Sequence, residues 1–143
     1  KAKIKIDLVQ VPFSVFDRRF EKEFAKLKKQ KVEIHVRSIF LQGAAFKSPS
    51  ELPPHLLKLK VSLQKLKDTA LLNRVPLSAL CLNFVAANPN IDRIVVGVDS
   101  LQQFNQNLAD LRPISGFKKI LPMLKELAIE DENVLLPYRW PVQ

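Results

Sequence analysis

The sequence predicts an α/β domain with about three short parallel strands joined by helical crossovers. Segments with the apolar pattern of strands alternate with segments of helical spacing, in the order strand, helix, strand, loop, two helices, strand, helix. Such alternation favours a parallel sheet with right-handed crossovers. The 143 residues, 47% of them hydrophobic, are enough to form a core. Because neither a repeat nor a linker divides the chain, we expect a single domain over residues 1–143.

The first three elements form a predicted βαβ unit. Residues 4–11 alternate between apolar and charged side chains and then become apolar, and Pro12 ends this first strand. Asp17 is predicted to cap a helix over residues 18–30. A second alternating strand then covers residues 32–38.

The second crossover contains a loop and two helices. Residues 42–54 are rich in Pro, Ser and Gly and predict a loop. Residues 56–72 predict a long helix, and a second helix begins at Pro76 and ends near residue 88. Residues 94–97 predict a short buried strand.

Two helices and a tail complete the predicted order. Residues 101–112 have the spacing of a helix that ends before Pro113. Residues 117–127 predict a final helix with a bend at Pro122. Residues 135–141 predict an irregular tail.

The formal charge of +9 is explained by the solvent faces of helices. Lysines and arginines accompany apolar residues that recur at helical spacing, as in the stripe of Leu56, Leu59, Leu63 and Leu66. Nucleic-acid binding would be better supported by a recognition motif or by aromatic residues on a basic surface. We therefore expect no nucleic-acid partner. A basic nucleic-acid module is kept as the third and least favoured hypothesis, because only the charge supports it.

Several classes of protein are excluded at this stage. No apolar run reaches the roughly 20 residues of a membrane span, so we expect no membrane partner, and the amino end lacks a secretory signal pattern. It also lacks an initiator Met, so Lys1 need not be the natural start. Cys81 is the single cysteine and has apolar neighbours, which predicts a buried thiol in a reducing compartment, by default the cytoplasm.

Candidate site residues lie where the predicted strands end. Ligands of parallel α/β folds meet the carboxyl ends of strands, here residues 10–13, 37–43 and 96–107. Gly97 follows a strand and precedes a helix, an arrangement that can present backbone N–H groups to a phosphate. The alternative is a tight turn with Asp99 or Ser100 as the helix cap.

Three segments, residues 7–19, 36–43 and 94–108, resemble the sixth, seventh and eighth strands of the aldo/keto reductase family. Their order, their spacing and the Ala-rich helix between them strengthen the resemblance. It implies a partial TIM (β/α)8 barrel, the carboxy-terminal half only, since a whole barrel takes about 250 residues. Residues 135–140 resemble the tails of family members found near surface-polysaccharide and sialic-acid-like sugar biosynthesis.

The resemblance also implies a site for NADP or NAD. Gln10 matches the glutamine that holds the nicotinamide carboxamide, and Arg37 stands where an aromatic residue often stacks on the nicotinamide. The matching pyrophosphate loop consists of Ser38, Phe40, Gln42 and Gly43. The matching adenosine segment consists of Gly97, Ser100, Gln103, Gln106 and Asn107. Many NADP-specific members have Lys and Arg in place of Gly97 and Gln103, so the preference between the cofactors stays open.

The resemblance places the family's catalytic Asp, Tyr, Lys and His in the first half of the barrel, which has no counterpart in this sequence. We expect structural or surface roles for Tyr138, His35 and His55, and we expect no catalytic residue and no metal site. The first hypothesis is therefore a truncated or split reductase that keeps the cofactor half and is inactive alone. The alternative is a non-enzymatic half-barrel that binds no cofactor and self-associates or pairs with another chain. Open strand edges and apolar barrel-facing side chains would favour that association, as a homo-oligomer or with a missing amino-terminal half-barrel.

Overall fold

The computed structural model describes residues 5–141 and contains one parallel sheet. The strands are β1 (Leu8–Pro12), β2 (Glu33–Arg37) and β3 (Arg93–Ile94), in the order β1-β2-β3. Gln10 pairs with His35, and His35 pairs with Arg93 on its other side. The predicted three-stranded parallel sheet is confirmed. The predicted start of the first strand at Ile4 lies outside the described residues.

Three of the described helices lie in the predicted crossovers, and the others follow the last strand. The helices are α1 (Glu21–Lys29), α2 (Lys60–Asn73), α3 (Leu77–Ala86), α4 (Leu101–Asp110), α5 (Phe117–Lys125) and α6 (Glu132–Leu135). Short 3-10 turns cover Ala44–Phe46, Pro49–Glu51, Pro54–Leu59 and Pro137–Arg139. The first part of the predicted helix over residues 56–72 is therefore a 3-10 turn. The tail contains regular turns where an irregular segment was predicted.

The predicted capping role of Asp17 is wrong. Helix α1 begins at Glu21, and its N-cap residue Phe20 provides no side-chain hydrogen bond. The buried carboxylate of Asp17 instead accepts two hydrogen bonds from the guanidinium of Arg19, at 2.9 Å from Nε and 2.8 Å from Nη2. This charge-assisted pair uses both carboxylate oxygens, and the chain makes a further turn before the helix starts.

Burial of the α2 stripe confirms the helical periodicity. Leu56, Leu59, Leu63 and Leu66 are all buried in the hydrophobic core. The last two lie on α2, whereas the first two lie on the 3-10 turn that precedes it. The stripe therefore continues from the turn into the helix.

The two faces of the sheet differ in chemistry. Alternate strand residues pack into the core beneath the helices: Val9, Val11, Ile34, Val36, Ile94 and Val96. The opposite face, which would line the interior of a barrel, includes Gln10, Glu33, His35, Arg37 and Arg93. On that face Glu33 Oε1 lies 3.0 Å from His35 Nε2 and 3.6 Å from Arg93 Nε. The expectation of apolar barrel-facing side chains is therefore wrong for most of this face.

Strand β3 is shorter and more exposed than predicted. It covers two residues, although the N–H of Val95 still donates to the carbonyl of Val36 at 2.8 Å. Val95 is 40% exposed because it lies on the sheet face opposite to Ile94 and Val96, which pack against the core. The predicted buried strand over residues 94–97 is therefore buried on one face only, and no strand within residues 5–141 pairs with its outer edge.

The carboxy-terminal segment packs onto the same core. Ile120, Leu124, Leu127, Val134 and Leu135 are buried within it. No single helix among residues 5–141 combines the length and the apolar character of a membrane span. The segments Pro54–Asn73 and Leu77–Ala86 meet that criterion only as a pair, with a bend of 100° between them.

Candidate functional site

A cleft of about 740 Å³ opens where β2 and β3 end and α4 begins. This is the edge of a parallel sheet at which ligands bind, and the volume is in the range of small-molecule sites. The lining residues are Arg37, Ser38, Ile39, Phe40, Gln42, Gly43, Phe46, Ser78, Val95, Val96, Gly97, Asp99, Gln103, Gln106 and Asn107. The lining combines apolar surface with amide and hydroxyl groups.

The loop after β2 forms one wall in an unusual backbone conformation. Leu41, Gln42 and Gly43 have consecutive positive φ angles of 47°, 52° and 78°. The buried Leu41 anchors this turn in the core. Within residues 5–141, no acceptor is bonded to the N–H of Gln42 or of Gly43. Successive N–H groups in a left-handed turn form a concave surface that suits an anion.

Two aromatic rings support the same wall. The rings of Phe40 and Phe46 lie 5.0 Å apart, and both line the cleft. Arg37 ends β2 at the cleft mouth, where its Nη1 donates to Ser38 Oγ at 3.1 Å. The loop therefore presents the guanidinium of Arg37, the hydroxyl of Ser38 and free backbone N–H groups beside a pair of phenylalanine rings.

The opposite wall is the first part of α4, which is capped by its own side chains. Ser100 Oγ accepts a hydrogen bond from the N–H of Gln103 at 3.1 Å. The side-chain oxygen of Gln103 accepts from the N–H of Asp99 at 2.8 Å. The alternative of a tight turn with Ser100 as the cap is thus confirmed. Because Oε1 of Gln103 is occupied, its Nε2 is the group available to a ligand.

A buried carboxylate lies behind this wall. Asp110 Oδ2 accepts a hydrogen bond from Ser78 Oγ, and Oδ1 accepts from Gln106 Nε2 at 2.8 Å. Its main-chain carbonyl accepts from Asn83 Nδ2 at 2.8 Å. Both donor side chains on the carboxylate line the cleft. Asp110 therefore fixes the orientation of two residues of the site.

The structure brings most of the candidate residues together. Those that line the cleft are Arg37, Ser38, Phe40, Gln42, Gly43, Gly97, Gln103, Gln106 and Asn107. Gln10 and Ser100 do not line it. Gln10 lies on the same sheet face as Arg37, beside His35, deeper along the strands. The cofactor contacts assigned to all these residues remain predictions.

Sequence reasoning missed other residues of the cleft. The sequence pattern indicated Asp99 only as a possible helix cap, and Phe46 and Ser78 belong to no recognisable motif. The Gln106–Asp110 pair was detectable, since Gln and Asp four residues apart on a helix face each other. The contact of Phe46 depends on the conformation of the loop, which the sequence pattern does not specify.

Tyr138, His35 and His55 do not line the cleft. Tyr138 is 77% exposed on the surface, next to Arg139. His35 lies beside Glu33 on the sheet, and the ring of His55 is 5.4 Å from that of Trp140. Among residues 5–141, no three His, Cys, Asp or Glu side chains cluster as metal ligands.

Comparisons with known proteins agree with the fold. The apo form of aldo-keto reductase AKR11C1 from Bacillus halodurans matches with a TM-score of 0.69 and 21% identity, over 94% of this chain and 47% of that chain. The holo form matches with a TM-score of 0.64 and 20% identity, over 93% and 46% of the two chains. The thermostable aldo-keto reductase Tm1743, in complex with the inhibitor epalrestat, matches with a TM-score of 0.61 and 16% identity, over 84% and 39%.

The chain thus spans about half the length of these structures or less, and its sheet is part of a (β/α)8 barrel. A search of curated proteins found no match. The family model for the aldo/keto reductase family matches residues 1–115, most of the sequence. The chain therefore belongs to the aldo/keto reductase family.

Proposed function

We propose that this chain is the cofactor-binding half of an aldo/keto reductase and that it binds a nicotinamide dinucleotide in the cleft between the β2 loop and α4. The observation that carries the proposal is the convergence of the predicted residues. Every one of them except Gln10 and Ser100 lines the same cleft at the carboxyl edge of the sheet. Aldo/keto reductases generally bind NAD(P), which gives this cleft its expected ligand.

The donor set of the cleft suits the chemistry of a dinucleotide. The free N–H groups of Gln42 and Gly43, together with Ser38, would hold the pyrophosphate. The planar guanidinium of Arg37 would stack on the nicotinamide, and the amide of Gln10 would hold its carboxamide. Gln103, Gln106 and Asn107 would hold the adenosine half. When bound, the nicotinamide supplies a hydride.

We also propose that the chain alone does not reduce a carbonyl. A general acid must reach the carbonyl oxygen, and the single tyrosine, Tyr138, is on the exposed tail next to Arg139. In the whole protein, NAD(P)H-dependent carbonyl reduction would need residues that this chain does not contain. Cys81, a buried thiol, fits the expected reducing compartment, the cytoplasm.

A fluorescence titration with NADH and NADPH tests cofactor binding. The neighbouring residues Asn107 and Asn105 give a matched pair, because both are amides on α4 and only Asn107 lines the cleft. We expect saturable binding that Asn107→Ala weakens and Asn105→Ala leaves unchanged. An absence of binding at millimolar cofactor would overturn the cofactor site. Carbonyl reduction by the pure chain would overturn the proposed inactivity.

A second candidate function is a half-barrel that associates through its open surfaces. Leu101, Phe104, Leu108 and Leu111 on or next to α4 are exposed, and Leu101 is 74% exposed. Their spacing forms an apolar stripe, and the outer edges of β1 and β3 are unpaired within residues 5–141. These surfaces favour pairing with a complementary half-barrel or, without one, self-association. Cofactor binding would not be needed for this role.

A further inference from the structure

Two charged side chains line the cleft, as far as the structure describes it, and they belong to different walls. Arg37 ends β2, whereas Asp99 immediately precedes Ser100, the N-cap residue of α4. Arg37 Nη1 is already bonded to Ser38 Oγ on its own wall. The α4 wall therefore has a carboxylate and no cation among its lining residues.

The carboxylate of Asp99 is uncompensated. Within residues 5–141 it forms no hydrogen bond and no ion pair, and the residue is exposed. Its backbone is held in place because its N–H donates to Gln103 Oε1 at 2.8 Å. A negatively charged side chain is thus attached to a backbone position that is held at the entrance to α4.

The remaining polar groups on this wall are neutral. Gln103, Gln106 and Asn107 offer amide donors and acceptors, which suit hydroxyl groups and a base edge. A ribose 2′-phosphate carries close to two negative charges and is usually held by Arg or Lys. A carboxylate instead accepts hydrogen bonds from ribose hydroxyls and repels a phosphate.

The cap of α4 occupies part of the donor set at the positive end of the helix. Helix N-termini attract anions through free N–H groups. Here Ser100 Oγ occupies the N–H of Gln103, and Gln103 Oε1 occupies the N–H of Asp99. The cap therefore removes two of the backbone donors that a phosphate could use.

We propose that the cleft selects a dinucleotide with a free ribose 2′-hydroxyl, NAD(H), over one with a 2′-phosphate, and that Asp99 is the residue that imposes this selection. The inference depends on the proposed function, since it assigns the adenosine half of the cofactor to the α4 wall.

Dissociation constants of NADH and NADPH, measured by fluorescence for the full chain and three variants, test the inference. Asp99→Asn removes the charge at nearly constant size. Gly97→Lys adds a cation on the same wall, where no atom lies within 4 Å of an added Cβ. Asp68→Asn, an exposed aspartate on α2, is the control.

We expect NADH to bind at least about tenfold more tightly than NADPH at low salt, and the difference to shrink as salt screens Asp99. Asp99→Asn and Gly97→Lys should both strengthen NADPH binding, whereas Asp68→Asn should change neither cofactor. Equal affinities, tighter NADPH binding, or an equal effect of Asp99→Asn on both cofactors would overturn this inference and leave the proposed function standing. If neither cofactor binds, the proposed function fails and the inference fails with it.

Discussion

Gln106 donates a hydrogen bond of 2.8 Å from Nε2 to Oδ1 of Asp110, a carboxylate that is only 5% exposed. Because this bond uses the amide nitrogen, the carbonyl oxygen of Gln106 is left for a ligand in the cleft. An acceptor at this point suits a ribose hydroxyl or the amino group of a base. The buried Asp110 therefore determines which amide atom the exposed Gln106 presents to the cleft.

Replacing Asp110 by Ala should reduce both stability and cofactor affinity. The variant leaves Ser78 and Gln106 without their acceptor, which should cost about 1–2 kcal/mol of the free energy of unfolding. Urea denaturation measures this loss, and NADH titration measures the affinity.

The control for this experiment is a second Gln–Asp pair of the same geometry. Gln64 Nε2 donates to Asp68 Oδ1 at 2.8 Å on the exposed face of α2. Asp68→Ala should change stability by only about 0.2–0.5 kcal/mol. Equal losses of unfolding free energy in Asp110→Ala and Asp68→Ala would contradict the expectation that burial strengthens the contribution of Asp110.

Cys81 should be chemically inert in the folded protein. Burial raises the pKa of its thiol to about 12, so almost no thiolate forms at pH 8. A chromogenic disulfide reagent should therefore react with the native chain far more slowly than with the chain in urea, where one equivalent should react. Fast reaction of the native thiol would contradict its position in the core.

Asp92 should stabilise the sheet through its carboxylate. Oδ2 accepts from the N–H of Ile34 at 2.7 Å, and both oxygens lie within 2.8 Å of Lys28 Nζ, so the residue joins α1 to β2. Asp92→Ala should cost about 1 kcal/mol at neutral pH. Asp7→Ala, at an exposed pair with Lys5, should cost little.

The contribution of Asp92 should depend on pH in a defined direction. The hydrogen bond from Lys28, followed by that from Ile34, lowers the pKa of Asp92 below its ordinary value of 3.8. The stabilisation is therefore complete above that value and is lost as pH falls through the lowered pKa. The difference in unfolding free energy between wild type and Asp92→Ala should be constant from pH 5 to 7 and should narrow below about pH 3.8. A difference that grows in acid would refute the assignment.

The sequence predicted those features that depend on local periodicity. Leu63 and Leu66 are buried because apolar residues three and four apart share one helix face, and this rule needs no tertiary information. Asp17 was misassigned as a cap because α1 begins at Glu21, beyond the reach of its carboxylate, which accepts hydrogen bonds from the backbone N–H and the guanidinium of Arg19. The apolar periodicity of the segment does not specify the residue at which the helix begins.

The site was predictable only in part, because some of its contacts depend on tertiary structure that local sequence patterns do not specify. Strand ends indicated where the cleft would be, and the family resemblance selected the residues. The spacing of Gln106 and Asp110 was detectable, but Asp110 was missed because it lies behind the wall and does not line the cleft. Val95 was expected to be buried, but it alternates with Ile94 and Val96, which pack against the core, and therefore lies on the opposite face of the sheet.

The apolar stripe on α4 should control self-association. Leu101 and Leu108 are 74% and 52% exposed and are seven residues apart, so they lie on one face of the helix. The double substitution Leu101→Glu with Leu108→Glu adds two charges to this face and should convert an oligomer into a monomer, as measured by light scattering after size-exclusion chromatography. Leu71→Glu with Leu72→Glu is the matched control, because these α2 leucines are equally or more exposed and lie outside the stripe. Dissociation by the control pair alone would place the contact on α2, and a monomeric wild type at high concentration would remove self-association altogether.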